Sequence, residues 1–215
     1  MIHSLSAALT CVGPQSEFSR FGLNAKAQEQ ISQISSPECC DLARTRVSGS
    51  SAMRLHFVPI HIFRETPSVA FFDAGIAGAN GVDVVVHRGS AISPPNDEDF
   101  EQYYVHQHQV DHNLVLQGGR TYTLLNPDWP QPHHVIHLQR VMGALQIPIG
   151  TYHRSISGED GSLILNQSFR DDDFDYSIEF IPVSLRARAD LQLLRKVRPW
   201  IWSWNNGHIQ RIHNL

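Results

Sequence analysis

The chain predicts an all-β barrel or sandwich. Short runs of Val, Ile, Leu, Phe and Tyr recur between residues 53 and 182. Clusters of Gly, Pro, Asn and Asp separate them. No helix-sized apolar period interrupts them before Ser184.

The expected strands, in order, cover residues 54–63, 69–73, 82–87, 102–108, 113–117, 120–125, 135–138, 141–148, 152–157, 162–169 and 176–182. Turn signals fall between them at Asn80-Gly81, Gly118-Gly119, Asn126-Pro127 and the run 158–161. Many short strands at regular spacing close into a barrel or stack as a sandwich. Residues 184–197 carry Ala187, Leu191 and Leu194 on one helical face, with Pro199 as the stop. The tail that follows alternates Trp200, Trp202 and Trp204. Such alternation puts all three on one side of an extended segment, where packing on the barrel is favoured over a contact between two copies.

Three regions result: an N-terminal extension (1–52), a barrel (53–183), and a helix with a Trp-rich tail (184–215). The extension is rich in Ser, Gln and Ala, with a short helix expected at 24–34. Met53 opens the patterned part and is an alternative start.

Composition excludes several classes of function. The net charge of −4 leaves no basic excess for a general nucleic-acid binder. No apolar run reaches the ~18 residues a membrane span needs. The N-terminus lacks a basic region ahead of its weak apolar stretch, so a cytoplasmic location is expected. Cys11, Cys39 and Cys40 fit free thiols better than a disulfide framework.

The unusual count is 13 histidines. They cluster at His106, His108 and His112, and again at His133, His134 and His137. On a strand, His106 and His108 would point to one face and hold one ion between them. Parity adds His112, with Asp111 beside it as the rival fourth donor. His153, after a turn at Pro148 and Gly150, brings a ligand from a distant strand. The second histidine group follows a Pro-rich loop and is explained by a loop and strand-edge position. The run Asp171-Asp172-Asp173 reads as a solvated turn, since a calcium loop needs spaced carboxylates and a glycine.

These two segments resemble the motifs of the cupin superfamily. His106-Gln107-His108, three residues, His112, six residues and Gly119 keep the spacing of its first motif. Phe100 replaces the usual leading Gly, and His112 the usual Glu. Gly143, Pro148, Gly150 and His153 match the second motif, one residue short between Gly143 and Pro148. Ser157 stands where Asn is usual. The resemblance covers roughly residues 54–182 and implies a double-stranded β-helix, or jelly-roll barrel, that pairs into a homodimer.

It also implies one divalent metal ion held by His106, His108, His112 and His153. An all-imidazole set favours Fe(II), with Zn(II), Ni(II) or Cu(II) behind it, over Mn(II). An inward Asp111 would instead add a carboxylate. Tyr104 and Tyr122 are the candidate catalytic side chains. Leu114 and Leu116 are candidate pocket walls, and Asn166 a candidate polar contact.

Three functions compete for a small-molecule substrate. A mononuclear iron dioxygenase leads. The alternatives are a metal-assisted isomerase, epimerase or lyase, and a binding or sensing protein without turnover.

Overall fold

The computed structural model describes residues 55–212. The expected helix at 24–34, the three cysteines and Met53 lie outside the described residues. The described strands are β1 (His56–Val58), β2 (His61–Glu65), β3 (Ala70–Asp73), β4 (Gly81–His87), β5 (Ile92–Ser93), β6 (Gln102–Tyr103), β7 (Gln109–Leu125), β8 (His133–Leu138), β9 (Ala144–Ile147), β10 (Tyr152–Arg170), β11 (Val183–Ser184), β12 (Trp200–Asn205) and β13 (His208–Ile212). Two helices accompany them, α1 (Tyr176–Glu179) and α2 (Ala189–Lys196).

Nine strands share one sheet, and two of them organise it. β7 runs for 17 residues and β10 for 19. They lie antiparallel along almost their whole length. The first half of β7 also pairs with β9, and its second half with β8. The second half of β10 pairs with β4, and its first half with β5. Each long strand therefore serves both sides of a jelly-roll barrel. That is the cupin architecture expected from the motifs.

The turns expected at Gly118-Gly119 and 158–161 are bends inside continuous strands. The register breaks between Ser157 and Ser162 while β7 advances only from Arg120 to Gly118. Gly118 and Gly161 have φ of 71° and 73°. A Cβ on Gly118 would lie 2.5 Å from the Gly161 carbonyl oxygen, and one on Gly161 would strike the carbonyl of His87. Only glycine lets the two bends pass this closely.

The main core joins Val115, Tyr122, Leu124, Ile136, Leu138, Leu145, Ile147 and Ile164. A second cluster of Tyr103, Leu125, Leu185 and Leu191 seats the C-terminal helix. That helix is shorter than the predicted 184–197, because residues 185–187 form a 3-10 turn. Ala187 is consequently exposed, whereas Leu191 is fully buried. Such burial of a leucine contributes about 2 kcal/mol. Arg195 of α2 bonds the Glu101 carboxylate at 2.8 Å and ties the helix to the barrel.

The strand expected at 176–182 is absent. Asp175 instead accepts a hydrogen bond from the Ser177 N–H at 2.7 Å and caps α1. A carboxylate at this position satisfies an N–H that a helix start leaves free. The Trp-rich tail is strand β12, parallel to β8 and followed by the hairpin partner β13. Trp202 and Trp204 pack on the main core as expected, whereas Trp200, the first of the three, is 40% exposed. No helix among the described residues is long and apolar enough to cross a membrane.

Candidate functional site

The segment carrying His106 lies between β6 and β7 and is not strand. It is laid beside the start of β10 by paired backbone bonds. Tyr104 N–H donates to the His153 carbonyl at 2.9 Å, and His153 N–H to that of Tyr104 at 2.8 Å. Gly150 N–H donates to the His106 carbonyl at 2.9 Å. The two sequence motifs are thus fastened to each other through main chain.

Each imidazole is then fixed by a carbonyl. His106 Nδ1 lies 3.0 Å from the Glu179 carbonyl oxygen, and His153 Nδ1 lies 3.1 Å from that of Thr151. A carbonyl only accepts, so each Nδ1 carries the hydrogen and each Nε2 offers a lone pair. Both Nε2 atoms face Asp111 Oδ2, at 3.4 Å from His106 and 3.9 Å from His153. The other Asp111 oxygen is taken: Oδ1 accepts from Gln109 Nε2 at 2.6 Å and from Asn166 Nδ2 at 2.9 Å. All three residues are buried.

Three acceptor atoms therefore converge, each within 4.8 Å of the others, and need a positive charge between them. A proton satisfies one pair. A divalent ion satisfies all three, once the ligands draw in to the ~2.0–2.2 Å of metal bonds. The set fits a metal: two neutral imidazoles and one carboxylate, each oriented by a hydrogen bond from behind.

Without an ion, the charges sort themselves. Burial opposes a charge on His106, but the Asp111 hydrogen bond and the carboxylates of Asp111 and Glu179 outweigh it and raise its pKa. Burial and the neighbouring His106 push His153 down to about 4. Burial works against ionised Asp111, yet the His106 bond and charge hold its carboxyl below the usual range.

His108 and His112 are not brought into this cluster. The parity argument needs an unbroken strand from 102 through 112, and the chain leaves the strand after Tyr103. The Glu179 carboxylate accepts the N–H groups of Gln107 and His108 at 3.0 and 3.1 Å and holds that segment in a turn. His108 then faces outward, its Nδ1 3.1 Å from both oxygens of Asp171. The break also shifts the phase of β7. Asp111 turns toward His106, while His112 shares the opposite face with Gln167 and Gln146. Its Nδ1 donates to the Gln167 carbonyl at 3.2 Å, and its ring packs edge-on against Phe169. Of the two donors weighed from sequence, Asp111 occupies the position.

Tyr104 borders the cluster, with its ring 6.2 Å from that of His153 and 6.3 Å from that of Phe180. Tyr122 lies deeper, in the core, and burial pushes its phenol up to about 12. Leu114 is buried outside the main core cluster, and Leu116 is half-buried. Asn166 does reach the site, as an anchor for Asp111. Glu179, Gln109 and Phe180 were missed. Glu179 and Phe180 fall where a strand was expected, and an isolated Glu between apolar residues gave no signal.

The second histidine group is held by ordinary hydrogen bonds. His133 Nδ1 donates to the Val197 carbonyl at 2.7 Å, and His134 Nε2 to that of Gln131 at 2.9 Å. Trp202 Nε1 donates to His134 Nδ1 at 3.0 Å, and His137 pairs with Thr121 at 3.1 Å.

No known family model matches the chain. No curated protein matches it either. Among solved structures it is similar to a 3,4-ketoisomerase from Thermoanaerobacterium thermosaccharolyticum in complex with TDP. That pair has a TM-score of 0.42 and 15% identity, over 57% of this chain and 83% of the other. It is also similar to a 4-keto-6-deoxy sugar epimerase from Streptomyces spheroides, with a TM-score of 0.41 and 12% identity, over 59% of this chain and 73% of the other. A third is the dTDP-4-dehydrorhamnose 3,5-epimerase of Elizabethkingia anophelis, with a TM-score of 0.42 and 8% identity, over 59% and 78%. By its own strand order and register, the chain folds as a cupin barrel whose buried polar centre is His106, Asp111 and His153.

Proposed function

We propose that this chain is an enzyme that isomerises or epimerises a small polar carbonyl compound at the His106–Asp111–His153 centre. The supporting observation is the convergence of two Nε2 lone pairs and one carboxylate oxygen on three buried side chains, each locked by a bond from behind.

His106, Asp111 and His153 are the residues that would hold one divalent ion. Such an ion supplies Lewis acidity at a carbonyl oxygen. Tyr104, beside His153, is the proton carrier on the substrate side. With Tyr104 ionised, its phenolate oxygen takes the proton from the carbon next to the carbonyl and returns it to the neighbouring atom, ending as phenolate again, so no electrons are gained or lost overall. Asn166 and Gln109 keep Asp111 from rotating away.

The test is exchange in heavy water. Metal-reconstituted protein, kept anaerobic, is incubated with a panel of keto sugars and keto acids. Deuterium is expected to enter the carbon beside the carbonyl, and the Tyr104→Phe variant to slow that exchange by 10²–10⁴-fold. Elemental analysis of wild type and of a His106→Ala/His153→Ala variant reads the metal directly. Equal, negligible metal in both would remove the ion from the proposal.

A second reading is an Fe(II) dioxygenase, favoured by the donor set alone, since two histidines and one carboxylate with open positions suit oxygen-activating iron. It predicts oxygen uptake by the Fe(II)-loaded protein and no exchange under anaerobic conditions.

A further inference from the structure

Arg170, half-buried at the end of β10, makes polar contacts in three directions. Its Nε donates to Gln109 Oε1 at 2.7 Å, its Nη1 to the Tyr176 hydroxyl at 2.7 Å and its Nη2 to Asp83 Oδ2 at 2.5 Å. Register puts these groups on the inner face that carries Asp111. Gln109 pairs with Arg170, Asp111 with Ser168, and Asn166 with Asp83, at two-residue steps along each strand. Gly81 lies opposite Ser168 on the same face, and a Cβ there would stand 2.6 Å from Arg170 Cζ. The missing side chain is what lets the guanidinium lie across β4 toward Asp83.

Donor and acceptor chemistry sets the direction of each bond. A guanidinium only donates, so the Gln109 amide oxygen faces Arg170. The Gln109 nitrogen then faces the carboxylate and donates to Asp111 Oδ1 at 2.6 Å. Turned the other way, the amide would set its oxygen against a carboxylate, and both groups only accept. Asn166 is oriented in the same manner. Its Oδ1 accepts from the His112 N–H at 3.2 Å, which leaves Nδ2 for Asp111 at 2.9 Å. Both amides hold Oδ1 and leave Oδ2 toward His106 and His153. The guanidinium also reaches the wall of the site. It lies 4.5 Å from the centre of the Phe174 ring and 5.0 Å from that of Tyr176. Tyr176 stacks on Phe180, whose ring is 5.2 Å from that of His106.

We propose that Arg170 is a positioning residue for the His106–Asp111–His153 centre: it orients Gln109 to donate to Asp111, and the same cation anchors the aromatic segment beside His106. The inference rests on the reading of that centre as the metal and substrate site. Lysine at this position would supply one point charge in place of a three-way fork, so it keeps the charge and loses the orientation.

The test has two arms on the full chain. The first needs no metal. Side-chain amide NMR of isotope-labelled protein should show one Gln109 proton at low field, the mark of a short bond to a carboxylate, and Gln109→Leu identifies it by its loss. Arg170→Met and Arg170→Lys should both lose that low-field position. The second arm titrates Co(II) and follows its visible absorption. Affinity should fall by about 10–100-fold in both variants. The band pattern should change as well, which a loss of stability alone would not cause. A Gln109 proton unmoved in either variant overturns the proposal, and so does a Co(II) affinity equal to wild type. Should Arg170→Met fail to fold, Gly81→Ala displaces the guanidinium while keeping every donor, and the same two outcomes decide. A wild type that takes up no Co(II) sinks the metal reading of the centre instead, and the amide resonance alone then decides the role of Arg170.

Discussion

Asp111 and His112 are adjacent in sequence and opposite in role. Asp111 faces the two Nε2 atoms, and His112 faces Gln167 and Phe169. Asp111→Asn keeps a side chain able to bond its neighbours but removes the charge, and should strip bound metal from the purified protein. His112→Ala should leave metal content at the wild-type level. Elemental analysis of the pair reads both outcomes at once. Glu179→Gln keeps acceptors for the Gln107 and His108 N–H groups while discharging the carboxylate behind His106. A metal titration should show affinity down by about 10–100-fold. At the other end of the barrel, burial and then the Arg120 charge hold His87 at about 4, below its ordinary 6.5. Its folded value is the lower one, so the unfolded chain takes up the proton first as pH falls. The stability it contributes is complete above pH 6.5 and declines until about pH 4. The loss is on the order of 2–3 kcal/mol. Urea midpoints of wild type and His87→Gln across that window should converge toward the acid end.

Among the elements, α2 and β6 depend on one carboxylate. Glu101 bonds Arg195, Arg154 and the Tyr103 hydroxyl, and these pull its pKa down against the push of burial. Glu101→Gln should cost about 1–2 kcal/mol in urea unfolding. Leu191→Ala, which empties the second core cluster, should cost about 3 kcal/mol. The elements also show where sequence reading succeeds. β4, β8 and the halves of β7 and β10 are legible because β-branched and aromatic residues crowd there. β5 and β13 are not, being a two-residue pairing and a polar strand whose existence depends on β12. The 176–182 segment misleads because Tyr, Ile and Phe promise a strand, while the Asp175 cap decides for a helix.

Across the whole molecule, the barrel follows from the two histidine motifs, their order and the strand pattern. Two of the three converging donors were also readable, in His106 and His153, with Asp111 left as the rival to His112. The rest was not, because it turns on one local fact. Period-two parity is valid only inside an unbroken strand, and the break after Tyr103 is imposed by Glu179, some 70 residues away. No local pattern around His106 carries that information. The bends of β7 and β10 are a property of the entire barrel, since each long strand holds two sides together. Gly161→Ala, at positive φ and against the His87 carbonyl, should destabilise by more than 2 kcal/mol or prevent folding, as a thermal melt will show.

The phase of β7 has one more consequence. A single residue removed between His106 and Asp111 would slip the strand's first half by one position. It would exchange the carboxylate for the imidazole of His112. The donor set would pass from two nitrogens and one oxygen to three nitrogens, and the preferred metal would change with it. On the proposed reading of the site, the metal preference therefore depends partly on the length of the four-residue stretch between His106 and Asp111. On that reading, a descendant changes its preferred metal by a deletion there, with every donor codon intact.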